Sequence, residues 1–169
     1  HSPCREYTHR AHVGGISTPR VAHRPKGIAK QRRGARVHQP RHVYEIMATC
    51  VDVAGAKHPT RYAETEIISL EGISLRPVFG GESIDRKDSL YFEHHLNCAV
   101  RDGDWKLVRK GQPGRPSRLF PWELYDMNRD RPELHNLAEK HPDKVAELSA
   151  KWEAWAQRAN VKPWPWQFE

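Results

Sequence analysis

Apolar side chains are spaced in two ways along this chain, and the change comes near residue 43. Residues 1–42 mix Gly, Pro, His and Arg with few apolar runs, which predicts loop-like backbone. The exception is residues 15–23, where Ile16, Val21 and Ala22 fit one short extended segment. Such a composition is disordered when free; inside a larger protein it would lie along a surface supplied by the rest. From there Val43, Ile46, Met47, Cys50, Val51 and Ala54 recur every three or four residues, the stripe of an amphipathic helix over 43–53. Gly55 supplies its stop. An irregular connection over 56–69 and a short apolar piece over 73–79, closed by Gly80 and Gly81, complete this stretch.

From Ser89 the period shortens to two, with Leu90 and Phe92 alternating with Tyr91 and Glu93. The runs 98–101 and 105–108 flank Asp102-Gly103, a strong hairpin signal that places both residues at positive φ in the turn. A Gly/Pro-rich loop over 111–117 leads to a further strand over 122–126. The last element is a helix over 142–159. Pro142 suits its first turn, and Asp143 and Arg158 suit the two ends of its dipole. Val145, Leu148, Trp152, Trp155 and Ala156 share one face, predicted to cover the sheet. Trp164, between Pro163 and Pro165, and Trp166 are expected to clamp the tail. The fold class is α+β: a small antiparallel sheet packed against a C-terminal helix.

Charge sharpens the division. Residues 1–42 hold ten Lys and Arg against one acid, Glu6, whereas the remaining 127 residues carry 18 basic and 20 acidic side chains. All six tryptophans lie in the second half. Cys4, Cys50 and Cys98 form no CxxC pair, which argues against a disulfide framework and a thiolate zinc site. Cys50, between Met47 and Val51, reads as a small buried hydrophobe. No run approaches the roughly 20 apolar residues that span a bilayer. No signal-peptide pattern opens the chain, and its start at His1 reads as a truncation.

Three segments together resemble the C-terminal part of the sulfatase family, of arylsulfatase type. Arg5-Glu6-Tyr7 through His12-Val13-Gly14-Gly15-Ile16-Ser17-Thr18-Pro19 is similar to that family's REYKxxxHEGGISTP stretch. His38-Gln39-Pro40, running into residues 45–55, resembles the HxDIMPT helix. The third and most specific segment is Ala99-Val100-Arg101-Asp102-Gly103-Asp104-Trp105-Lys106-Leu107-Val108, then Trp122-Glu123-Leu124-Tyr125-Asp126 and Asn136-Leu137-Ala138, which matches the family's C-terminal signature. The resemblance implies that residues 1–42 are a basic, loop-rich remnant of a larger α/β catalytic domain. Residues 43–80 would be the helix and connection closing that domain, and residues 81–169 a C-terminal sheet-plus-helix subdomain. It further implies sulfate ester hydrolysis, aryl or carbohydrate, by a formylglycine made from the cysteine of a Cys-x-Pro-x-Arg motif. Calcium and fixed cations would stabilise the sulfate oxygens. An exported protein and a missing N-terminal catalytic domain as partner are implied as well.

Against that chemistry the sequence falls short. None of the three cysteines begins Cys-x-Pro-x-Arg, and no paired aspartates or Asp-Asn offer calcium ligands. Thr8 stands where the family's catalytic lysine is expected, and Val13 where the glutamate before the glycines is expected. No catalytic residue and no metal ligand is therefore assigned, and this chain alone is expected to be inactive. By resemblance to the WEHEGNR stretch near the active-site mouth, Glu93, His94 and Asn97 are candidates to face substrate, together with His12. His9 with His12, and His94 with His95, each offer two imidazoles but no third ligand at a diagnostic spacing. Two alternatives stay open. One is a polyanion-binding module built on the basic arm, taking sulfated glycan or nucleic acid without catalysis; no recognised nucleic-acid module is present, and the leading reading expects no nucleic acid as partner. The other is a degenerate gene product.

Overall fold

The computed structural model describes residues 4–111 and 119–161. Its helices are α1 (Val13–Ile16), α2 (Glu45–Val53), α3 (Arg76–Gly80) and α4 (Pro142–Arg158). Its strands are β1 (Arg61–Tyr62), β2 (Thr65–Glu66), β3 (Leu90–His94), β4 (Asn97–Asp102), β5 (Trp105–Arg109) and β6 (Glu123–Asp126). The chain divides into two units, residues 1–19 with 87–169, and residues 20–86. The proposed tail clamp by Trp164 and Trp166, and the loop over 112–117, lie outside the described residues.

In the first unit β3, β4, β5 and β6 form a meander, each strand antiparallel to the next. The α+β reading holds, and so does the helix on the sheet. Leu148, Trp152 and Ala156 of α4 pack with Cys98, Val100, Leu107 and Leu124. Tyr91 stacks on Trp155 with centroids 5.2 Å apart, and Arg109 lies over the Trp122 ring at 4.2 Å. Burying each aliphatic side chain here stabilises by about 1.5–3 kcal/mol. The opposite face is covered too: Ala99, Val108 and Tyr125 meet Ala11 and Met127, so β4 is buried on both sides.

The hairpin between β4 and β5 exists, but its turn lies one residue later than the Asp-Gly pair suggests. Asp102 still pairs with Trp105, leaving Gly103 and Asp104 as the turn. Gly103 alone takes a positive φ, +55°. A glycine at the first turn position meets the one demand of a II′-type turn, so Asp102 need not leave the strand.

In residues 20–86, α2 forms where the stripe predicts and stops as expected. Gly55 takes φ +63°, with its N–H bonded to Asp52 O and that of Ala56 to Val51 O, a Schellman closure. The expected burial fails. Ile46, Met47 and Cys50 are exposed, whereas Glu45 is fully buried, paired with Arg86 and accepting from His42 N at 3.0 Å. Among the described residues, no apolar side chain between 20 and 86 is buried. Cys50 is therefore not a core residue of this chain, because nothing described covers its helix face. The apolar piece over 73–79 becomes α3, tied to α2 through Ser74 and Arg76, which both reach Asp52. The connection over 56–69 holds the small β1–β2 hairpin rather than purely irregular backbone.

Candidate functional site

Residues 4–16, which by composition should not fold alone, are held on the sheet by a buried polar network. Gly14 and Gly15 let this segment fold back on itself. A Cβ on Gly15 would stand 1.8 Å from Arg10 O, and one on Gly14 2.3 Å from Glu6 O. Gly14 N donates to Arg5 O at 2.8 Å. The segment is anchored by Glu133, itself fully buried. One carboxylate oxygen accepts the Val13 N–H at 2.8 Å, and the other takes the Lys106 ammonium at 2.5 Å. Burial pushes the Lys106 ammonium below its usual pKa, against the pull of Glu133. Arg5 donates to Glu133 O at 3.2 Å and pairs with Glu123 at 2.8 Å.

Glu123 is the hub of a second group. The Tyr125 hydroxyl donates to it, and His12 Nε2 stands 3.6 Å away, beyond hydrogen-bond reach. Burial alone would raise the Glu123 carboxyl; His12, Tyr125 and the Arg5 charge outweigh it and hold it at about 2. Burial and the Glu123 carboxylate push the Tyr125 phenol upward.

At the other end of this face, the β3–β4 turn brings histidines together. His94 pairs with Asn97, so His95 and Leu96 form a two-residue turn with φ +49° and +67°, the I′ arrangement. Neither is a glycine, and each such residue costs of order 1–3 kcal/mol. Side chains lock the turn. Glu93 accepts the Leu96 N–H at 3.0 Å, and Asn97 Nδ2 donates to the carbonyls of His94 and His95. Successive strand residues point to opposite faces, but this turn lets the His94 and His95 rings stack, 4.2 Å apart. His9 completes the group, with Nε2 3.3 Å from His95 Nδ1 and its ring 4.8 Å from that of His94. Burial, then the neighbouring His95 and His9, lower the His94 pKa.

The four residues nominated from sequence are thus spread over different environments. His12 is fully buried beneath the 4–16 segment. Asn97 is buried and saturated, its Oδ1 accepting from Arg10 Nη1 at 2.8 Å and from Gly111 N at 3.3 Å. Glu93 is half-buried and braces the turn, and His94 is exposed. Sequence reasoning saw His9 and the His94–His95 pair separately. No spacing rule joins groups some 85 positions apart; the shared signal was only that both were imidazole pairs. Of the basic arm, Arg5 and Arg10 are taken up by internal partners. Calcium takes oxygen ligands. The one grouping of three His, Cys, Asp or Glu ligand atoms among the described residues is all imidazole, so it does not fit that ion.

No family model matches the chain. It is 28% identical over 129 residues to an uncharacterized sulfatase of Schizosaccharomyces pombe, covering 75% of this chain and 23% of that protein. Among solved structures it is similar to a 6S-sulfatase from work on glycosaminoglycan metabolism by Bacteroides thetaiotaomicron. That match has a TM-score of 0.50 and 19% identity, over 67% of this chain and 24% of the other. It is also similar to a protein solved with its substrate D-glucosamine-2-N,6-O-disulfate, with a TM-score of 0.50 and 24% identity over 70% and 24% of the two chains. The chain therefore spans about a quarter of the length of the proteins it matches.

Proposed function

We propose that this chain, similar to sulfatases over about a quarter of their length, is the C-terminal subdomain of a sulfuric ester hydrolase. The parent hydrolyses sulfate esters of aryl groups or carbohydrates. The observation that carries this reading is the likeness to a sulfatase over 129 residues, in a sequence that lacks Cys-x-Pro-x-Arg. In this reading the nucleophile and calcium belong to the remaining three quarters of the protein, and calcium there would polarise sulfate oxygens. This chain's own part is positional. The Glu133–Lys106 and Glu123–Arg5 contacts fix residues 4–16, the segment similar to the family's REYKxxxHEGGISTP stretch, and the exposed His94 stands at the end of the β3–β4 hairpin. A sulfated sugar as substrate is supported by the neighbour solved with D-glucosamine-2-N,6-O-disulfate.

The test is direct. Purified alone with calcium, the chain is expected to release no sulfate from a chromogenic aryl sulfate or from D-glucosamine-2-N,6-O-disulfate; turnover would overturn the assignment. Fused behind the N-terminal portion of an active sulfatase stripped of its own C-terminal quarter, the chain carrying Thr8→Lys, which returns the cation that the family resemblance expects there, is expected to restore sulfate release. A fusion that folds and stays inactive counts against the proposal.

A further inference from the structure

Independently of sulfate ester chemistry, we propose that His9, His94 and His95 bind one divalent transition-metal ion, zinc above all, which clips residues 4–16 to the β3–β4 hairpin. The geometry is nearly that of a bound ion. Two nitrogens on one tetrahedral zinc, each about 2.0–2.1 Å from it, stand about 3.3 Å apart. His9 Nε2 and His95 Nδ1 already stand 3.3 Å apart. One ligand atom from each of the three histidines lies within 4.8 Å of the others. The remaining gap belongs to a rotation of His94, the exposed member, at the end of β3.

The donor set selects the ion. Imidazole suits zinc, copper and nickel, whereas calcium and magnesium prefer oxygen. Three nitrogens leave a fourth position for solvent on the exposed side. The scaffold is also preorganised. The turn that stacks His94 on His95 is braced by Glu93 and Asn97, and Asn97 is held in turn by Arg10, one residue from His9. A ligand from each of two segments some 85 positions apart would join the docked arm to the sheet, where residues 4–16 otherwise rely on polar contacts and little apolar burial.

The 169-residue chain, purified without a histidine tag and stripped with chelator, is titrated with Zn2+ by calorimetry and with Co2+ by visible absorption. One ion per chain is expected, with the intense absorption of four-coordinate Co2+ and a Tm raised by Zn2+, because the ion binds the folded state. His9→Asn and His94→Asn are each expected to weaken binding by at least about tenfold, since even outer-shell partners are worth about 10–100-fold. His135→Asn, exposed and outside the cluster, leaves it unchanged. His94 is exposed, so its variant decides the matter even where His9→Asn disturbs folding. Absence of binding, an equal response to Ca2+, or zinc affinity that survives both cluster variants would each overturn the site.

Discussion

Helices α2 and α4 carry the same kind of apolar stripe, yet only α4 finds a surface for it within the described chain. Leu148, Trp152 and Ala156 of α4 are buried against the sheet; Ile46, Met47 and Cys50 of α2 are exposed. The contrast extends to what holds each unit. The sheet unit has apolar clusters on both faces, whereas residues 20–86 rely on polar contacts such as Glu45 with Arg86 and Asp52 with Ser74 and Arg76. A hydrogen bond contributes only about 0.5–1.5 kcal/mol net, against about 1–2 kcal/mol of backbone entropy for each residue ordered. Periodicity thus reports that a helix needs an apolar surface, not that the same segment supplies it. Under the proposed reading, the cover for α2 would come from the part of the parent protein that lies outside this chain.

The strongest way to break this comparison is to cut both stripes. Trp152→Ala is expected to cost about 3–5 kcal/mol, the range for buried aromatic truncations. Met47→Ser is expected to stay within about 0.5 kcal/mol, as exposed substitutions do. Chemical denaturation of the two variants checks the pair. Similar losses would mean that α2 is covered after all.

Next in size is the polar side of the sheet. Glu133→Ala strands Lys106 as an unpaired buried cation and leaves the Val13 N–H without its acceptor. Removing one partner of a buried pair costs about 3–5 kcal/mol, here lessened by any water that enters beside the shortened side chain. Replacing both partners, Lys106→Met with Glu133→Leu, is expected to recover much of the loss, because no charge is then left buried. A double variant as weak as the single one would show that the segment depends on the Val13 contact instead.

These two faces also show what can be read from residues alone. Helix α4, the β4–β5 hairpin and the end of α2 at Gly55 are local: period, turn chemistry and capping are written in neighbouring positions. The docking of residues 4–16 is not. It rests on Arg5 meeting Glu123 and on Val13 meeting Glu133, pairs more than 100 positions apart, in a segment whose charge and glycine content read as loop. The histidine cluster escaped for the same reason. Its two halves were visible, but only the fold sets His9 beside the hairpin. Cys50 was misplaced because its stripe was read as a core of this chain, while the turn at Gly103 shifted by one because a single positive φ suffices.

A smaller effect comes from pH. The Glu123 carboxyl is held at about 2 in the fold, below its ordinary value of 4.5. A depressed folded pKa gives stability that is present above 4.5 and lost as pH falls from there toward about 2. Glu123→Gln removes that contribution at every pH. The Tm gap between native chain and variant is therefore expected to be widest near neutrality and to narrow progressively as pH falls from about 4.5 toward 2. A gap independent of pH would mean that Glu123 acts through packing and not through its charge.

The smallest effect is on stability but separates the two helices most cleanly: thiol reactivity. Cys98 is buried in the α4 core, and burial pushes its thiol up to about 11, so little reactive thiolate forms near neutral pH. Cys50, on the stripe of α2, is exposed. A colorimetric disulfide reagent is expected to modify Cys50 and the exposed Cys4 in the native chain, and Cys98 only after denaturant is added. In the fusion to an N-terminal sulfatase portion, Cys50 is expected to become protected, since the surface that covers Ile46 and Met47 must cover the same helix face. Cys50 that stays fully reactive in an active fusion would show that α2 faces solvent in that fusion, and its apolar stripe would need another explanation.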